Sequence, residues 1–171
     1  MTELDVLREE LRSLSKRIDE IENELAKTPK ADEIDDPIFL LSIEEYEKYK
    51  GVIVPRLECW WWLRSPGISN NAAYVGSSGI IYNDGNDINS IYGAVRPVIL
   101  YDNNVIHNAS VGTSFVFNGM TWVVIDDKRC WAIAEVPITF REFDVESNDY
   151  MNSDIRQYLL DWYEHHTIGE R

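Results

Sequence analysis

Residues 70–92 carry the side chains with most to offer a ligand: Asn70, Asn71, Tyr74, Ser77, Ser78, Ile80, Tyr82, Asn83, Asp84, Asn86, Asp87, Asn89, Ser90 and Tyr92. Tyr brings rigid, amphipathic contact area at low entropic cost, and Ser, Asn and Gly bring adaptable hydrogen bonds, the mixture that antibody paratopes use. The chemistry expected of such a set is recognition. Turnover is not expected: neither Cys59 nor Cys130 lies in a nucleophile's local sequence, and there is no Gly-x-Ser-x-Gly elbow or phosphate-cradling loop. His165 and His166 are adjacent, so on a helix they point apart and make a poor metal pair. Asn83 to Asp87 (NDGND) holds oxygens that Ca²⁺ accepts, but it lacks EF-hand spacing and a following Glu, and reads as a turn. Neither a Glu-Pro-Asn nor a Gln-Pro-Asp sugar-and-calcium motif is present. The expectation is a non-enzyme without metal or cofactor.

The elements around this segment follow from pattern. Between Trp62 and Met120 there is no Lys, Glu, Gln, Met or Trp, and the density of Gly and Asn predicts successive turns, with Asp84-Gly85 the clearest. Within residues 68–95, Val75, Ile81 and Ile88 are expected to point inward and anchor the segment, which a plain linker would not need. Ile38 to Leu41 reads as a short buried strand, and Ser42 with Glu45 as a capping box opening a helix over Ile43 to Lys50. Residues 52–54, 58–63, 98–101, 115–118, 121–125 and 130–136 read as extended, with Asn118-Gly119 and Asp126 to Arg129 as turns. A last helix over Ser153 to Glu164 places Ile155, Tyr158, Leu159 and Trp162 on one face. Two of Trp60, Trp61 and Trp62 are expected in the core, with Arg64 paired to a buried carboxylate or to backbone carbonyls; Arg96-Pro97 reads as structural. Cys59 and Cys130 read as free thiols.

At the N-terminus, Leu4, Leu7, Leu11, Leu14, Ile18, Ile21 and Leu25 recur with spacings of three and four, an unbroken heptad pattern with few apolar residues elsewhere. That favours a coiled coil over a helix lying on a domain. With Leu4 at a, Arg17 falls at g and Glu22 at the following e, so parallel neighbours can pair them; Ile at both a and d disfavours two strands. The expectation is a parallel homotrimer over residues 1–28, a polar linker over 29–37 closed by Pro37, and a globular domain over 38–171.

The charge balance fits these boundaries. The chain has 171 residues, 30 Asp and Glu against 16 Lys and Arg, and a net charge of −14. Residues 1–50 hold 15 acids and 8 bases and residues 120–171 hold 11 and 5, whereas the 69 between hold 4 and 3. An acidic balance argues against capture of nucleic acid or an anionic membrane, both of which need clustered cations. No apolar run approaches the roughly 18 residues of a membrane span, and the opening residues are charged, unlike a signal peptide. The expectation is a chain made in the cytoplasm, reaching a virion or cell surface, if at all, by assembly.

Trp60 to Gly67 (WWWLRSPG), Asn71 to Val75 (NAAYV), Gly79, Gly85 and Val95 to Val98 (VRPV) together form a recognisable set, with Phe39 to Tyr46 (FLLSIEEY) upstream. The set resembles an uncharacterised bacterial and phage domain family with the signature WWLRSPG followed by VRPA. That family looks related to the C-type-lectin-like fold of variable proteins of diversity-generating retroelements. The resemblance is strongest over residues 38–100. Segments similar to 115–136 and 153–159 precede those motifs in the family and follow them here, so the resemblance implies a circularly permuted α+β C-type-lectin-like domain, or one completed by a neighbouring subunit. It also implies binding of a protein or cell-surface ligand, as in a phage or bacterial recognition module, with residues 68–95 open to retroelement diversification. The alternative is a structural assembly protein, a fibre tip or adaptor, whose head only locks the oligomer.

Overall fold

The computed structural model describes residues 1–27, 34–53, 57–104 and 106–168, and of residues 25–27, 167 and 168 the backbone alone. It divides into two units, Met1–Ile34 and Asp35–Arg171. The first is the helix α1, Glu3–Lys27. Thr2 stands before it and its hydroxyl exchanges hydrogen bonds with Asp5, whose side chain also accepts from the Thr2 N–H. The heptad residues Leu4, Leu7, Leu11, Leu14, Ile18 and Ile21 are all more than half exposed within the single chain. The side chain of Leu25 and most of the expected linker lie outside the described residues.

The second unit is mixed α+β. In chain order its elements are β1 (Ile38–Phe39), α2 (Ile43–Tyr49), β2 (Trp61–Pro66), β3 (Asn71–Val75), β4 (Ile81–Asp87), β5 (Ala94–Val95), β6 (Val98–Leu100), β7 (Ser114–Phe117), β8 (Met120–Asp126), β9 (Trp131–Ala134) and β10 (Thr139–Phe140). A 3₁₀ turn at Tyr150–Asn152 then leads into α3 (Asp154–Ile168). One five-stranded sheet runs β1-β6-β9-β8-β7 and is antiparallel throughout; the other runs β10-β5-β2-β3-β4 and contains one parallel pair, β2 with β5. The strands from the two ends of the unit thus share both sheets within one chain.

Two crossings join the sheets. Residues 95–98 run from β5 into β6, and residues 134–139 from β9 into β10. Arg96, 1% exposed, sits on the first crossing: its Nε donates to the Ala134 carbonyl at 2.8 Å, its Nη2 to that of Glu135 at 3.3 Å, and its guanidinium lies 5.2 Å from the Trp61 ring centre. Burial pushes this group down to about 10, which still leaves it charged at neutral pH. A buried cation is tolerated where carbonyls and an aromatic face replace its water, so Arg96 fastens one sheet to the other. The structural reading of Arg96-Pro97 fits.

Trp61, Trp62 and Trp122 are the largest buried side chains, and Trp60 is half-buried, so two of the three consecutive tryptophans are in the core. Arg64 uses both expected kinds of partner, the Leu40 carbonyl at 2.8 Å and the Glu45 carboxylate. Glu45 also accepts from the Ser42 N–H while Ser42 Oγ accepts from the Glu45 N–H, which completes the capping box of α2. Asn118 and Gly119, both at positive φ, make the tight β7–β8 turn. α3 buries Ile155 and Leu159 and half-buries Tyr158 and Trp162. Cys59 and Cys130 are free and half-buried.

Four expectations need correction. Residues 68–95 are chiefly the β3–β4 hairpin, not a run of turns. Asp84-Gly85 lies inside β4: Gly85, at φ +83°, forms a bulge where Asn83, Asp84 and Gly85 oppose Ala73 alone, and the turn falls instead at Gly76–Ile80. Positive φ serves a bulge as well as a turn, and only the partner strand decides which. Of the extended segment expected over 52–54, residues 52 and 53 form no strand and residue 54 lies outside the described residues; the one expected over 58–63 is displaced to Trp61–Pro66.

Candidate ligand-binding surface

Cross-strand register builds the surface. Trp62 lies opposite Tyr74, and Tyr74 opposite Tyr82, so the three side chains share one face of β2, β3 and β4. Tyr74 and Tyr82 stack at 4.8 Å with their planes 8° apart; Trp60 meets Tyr74 at 4.9 Å and Trp62 at 4.8 Å. The Tyr74–Tyr82 and Trp60–Tyr74 steps match the spacing between strands, and Trp60 bridges Tyr74 to Trp62 within its own segment. At its inner end the row is fixed: Trp62 is fully buried, its Nε1 donates to the Arg141 carbonyl at 2.9 Å, and Phe143 lies 5.6 Å away. At its outer end Tyr82 is 44% exposed, on the edge strand of its sheet.

Two glycines make room for the row. A Cβ on Gly93 would lie 2.0 Å from the Trp62 Nε1, and one on Gly76 2.7 Å from a Tyr82 ring carbon. At both positions the requirement is space, since neither has a positive φ. The other face of the hairpin is tied to α2: Val75 is buried, Tyr46 packs edge-on against Trp61 at 5.5 Å, and the Tyr46 hydroxyl donates to the Gly79 carbonyl at 2.8 Å. The tip of the hairpin is therefore held from below while the Tyr82 side faces outward.

The polar residues divide into three groups. Ser77, Ser78 and Ile80 crown the hairpin tip, and Asn83 and Asp84 are exposed beside Tyr82. Asn86, Asp87 and Asn89 are engaged locally, with the Asn86 side chain accepting from the Asp87 N–H and the Asp87 carboxylate from Asn89. Beyond them Ile88 is buried, Ser90 half-buried, and Tyr92 73% exposed. Asn70 has a structural role, because its Nδ2 donates to the Glu146 carbonyl at 2.9 Å and its Oδ1 accepts from the Asn148 N–H at 3.0 Å. Asn148 in turn donates to the Asn71 carbonyl at 2.9 Å. Asn70 and Asn71 thus bind the 144–149 loop to β3.

Shallow hollows open along β4. One of about 310 Å³ is lined by Ile81, Tyr82, Asn83, Asp84 and Gly85; another of about 360 Å³ is lined by Tyr46, Glu47, Lys50, Gly79, Ile80, Ile81 and Asn83. Sequence reasoning missed Trp60, Glu47 and Lys50. Trp60 carries a sequence signal, since strand alternation places it with Trp62, but Glu47 and Lys50 come to β4 only through the docking of α2. A third, more apolar cavity of about 240 Å³ lies between β6, β7 and α3 and is lined in part by Ile99, Tyr101, Phe115 and Tyr163.

Among the described residues there is no group of three or more His, Cys, Asp or Glu placed to hold a metal ion. His165 and His166 each turn Nδ1 to the carbonyl four residues back, and His166 stacks on Trp162 at 4.3 Å. Also among the described residues, no helix is long and apolar enough to cross a membrane. Comparison with protein-family models, curated proteins and solved structures gives no match for this chain.

Proposed function

We propose that this chain is a non-enzymatic recognition protein: a C-type-lectin-like head, carried on a parallel three-stranded coiled coil, that binds a protein or cell-surface ligand. The observation that carries the reading is the row of rings running from buried Trp62 to exposed Tyr82. A rigid aromatic anchor in a rim of small polar groups is the arrangement in which aromatic residues dominate binding energy. The exposed heptad stripe of α1 supports self-association, which would multiply weak single-site contacts into avidity. The permuted lectin-like arrangement is supported by the way residues 114–134 and 139–140 enter the same two sheets as residues 38–100. A phage or bacterial surface module of the retroelement-diversified kind fits a surface composed of Tyr, Asn, Ser and Asp on a fixed scaffold.

The test uses the full-length protein against a random peptide display library and a glycan array. Hits are measured again with Tyr74→Ala, Tyr82→Ala and Tyr92→Ala. Loss of at least tenfold in affinity in one or more variants with unchanged thermal unfolding is the expected result. Hits that bind all three variants as well as the parent would remove the surface from the reading. A protein without hits whose oligomer persists after deletion of residues 1–28 would support the assembly role instead.

A further inference from the structure

The outer edge of β4 has features that the ring row alone does not explain. Gly76 N–H donates to the Ile80 carbonyl at 2.8 Å, which makes 76/80 a hydrogen-bonded pair. Such pairs alternate along an antiparallel ladder, so 74/82 is the next, and the N–H and C=O of Ile81 and the N–H of Asn83 turn away from β3 to the open edge. Beyond Asn83 the edge is closed from within: Ile68 N–H takes the Asp84 carbonyl at 2.9 Å, and Gly67 lies so near that a Cβ there would come within 2.3 Å of that oxygen. The stretch of edge before that irregularity is three residues long, 81–83.

The two hollows along β4 both include these edge residues, Ile81 and Asn83. One hollow opens beside Tyr82 and Asp84, the other toward Tyr46, Glu47 and Lys50 of α2 and its cap. A backbone edge with a hollow on each side is what an added strand needs, since its alternate side chains point to opposite faces. Among the described residues no ring lies beyond Tyr82, so the next place in the row falls over the added strand. In the charge balance of the linings, Glu47 and Lys50 pair at 2.7 Å and Asp84 is left over.

We propose that the 81–83 edge of β4 binds an extended peptide segment of a partner protein by strand addition, with an aromatic side chain stacked on Tyr82 and a basic one near Asp84. This rests on the reading of the head as a binding module and gives the partner's chemistry. Natural edges are often protected by bulges and charges, and here the bulge begins at Asn83 and the first charge is Asp84.

The probe is a seven-residue peptide alternating Val and Thr around one central Trp, with Lys at one end, titrated into isotope-labelled full-length protein and followed by amide NMR and hydrogen exchange. Expected are shifts and at least tenfold slower exchange at the Ile81 and Asn83 amides. The same peptide N-methylated along its pairing edge should bind at least tenfold more weakly. Tyr82→Ala, a change at an exposed ring, should weaken binding about three- to tenfold. Equal binding of the N-methylated peptide overturns strand addition. So does a neutral chito-oligosaccharide that shifts these amides when the peptide does not, or self-association of the full-length protein that protects Ile81 and Asn83 with no peptide present. A silent peptide combined with a library or array hit lost on Tyr92→Ala overturns the edge assignment alone; a silent peptide with no hit affected by any Tyr variant removes the binding surface as well.

Discussion

At the scale of single residues, space decides which side chains are replaceable. Gly93 faces the Trp62 indole edge at a distance no Cβ can occupy, and the indole cannot retreat, because Phe143 packs near it and its N–H is held by the Arg141 carbonyl. Gly93→Ala should therefore cost about 1–3 kcal/mol or more, as overpacking of a dense core does, read as a lower urea midpoint with an unchanged slope. Gly51 supplies the contrast. A Cβ there meets nothing within 4 Å and its φ is not positive, so Gly51→Ala should be neutral or add about 0.4–1 kcal/mol by restricting the unfolded chain. Equal effects at the two sites would mean that close contact with Trp62 is not what fixes Gly93. Sequence does not distinguish these glycines, since the indole that makes Gly93 irreplaceable lies 31 positions earlier. The partners of Arg64 and the burial of Trp61 and Trp62 are readable, because a cation and two large rings in an otherwise apolar strand have few other places to go.

At the scale of elements, local signals are legible in the sequence and paired ones are not. Ser42 with Glu45, and Asn118 with Gly119, act within a few residues of themselves, so pattern alone locates the start of α2 and the β7–β8 turn. Gly85 is misleading because its role depends on β3 across the ladder. The loop before α3 is similarly silent, although Asp144 organises it. Its carboxylate accepts from the N–H groups of Glu146 and Ser147 at 2.9 and 2.8 Å, and from that of Asp154, the first residue of α3, at 2.9 Å. Burial pushes this carboxyl up, but the amides of Ser147, Glu146 and Asp154 outweigh it and hold the group below the usual carboxylate range. A lowered native pKa stabilises the fold above the unfolded value, about 3.9, and that contribution is lost as pH falls through the native value. Asp144→Asn should thus cost about 1–3 kcal/mol at pH 7 in urea unfolding, and the gap from the parent should shrink as pH falls below the unfolded value of about 3.9. A gap that stays constant with pH would mean that shape, and not charge, makes the knot.

At the scale of the whole molecule, α1 sets the largest demand. Its 25 residues make a rod of about 37 Å at 1.5 Å per residue. Six apolar side chains along one stripe, Leu4 to Ile21, are more than half exposed in the single chain. Helices in proteins draw most of their stability from packing an apolar face, and the strict spacing of three and four suits identical neighbours better than a globular surface. Periodicity alone carries that reading, whereas the entry of residues 114–134 into one sheet and of 139–140 into the other needs the order of strands. Native mass spectrometry of the full-length protein should give a trimer, and thermal unfolding should depend on protein concentration because association and helix formation are linked. Leu11→Asp, which puts a charge in the middle of the stripe, should leave monomers with the head still folded. Ile21→Leu, which keeps β-branched Ile18 at a and puts Leu at d, should move the population toward dimers, because removing β-branching at d relieves the packing that disfavours two strands. A parent protein that stays monomeric at tens of micromolar would rule out the trimer, and the avidity argument for the head would then fail with it, leaving each aromatic row to bind alone.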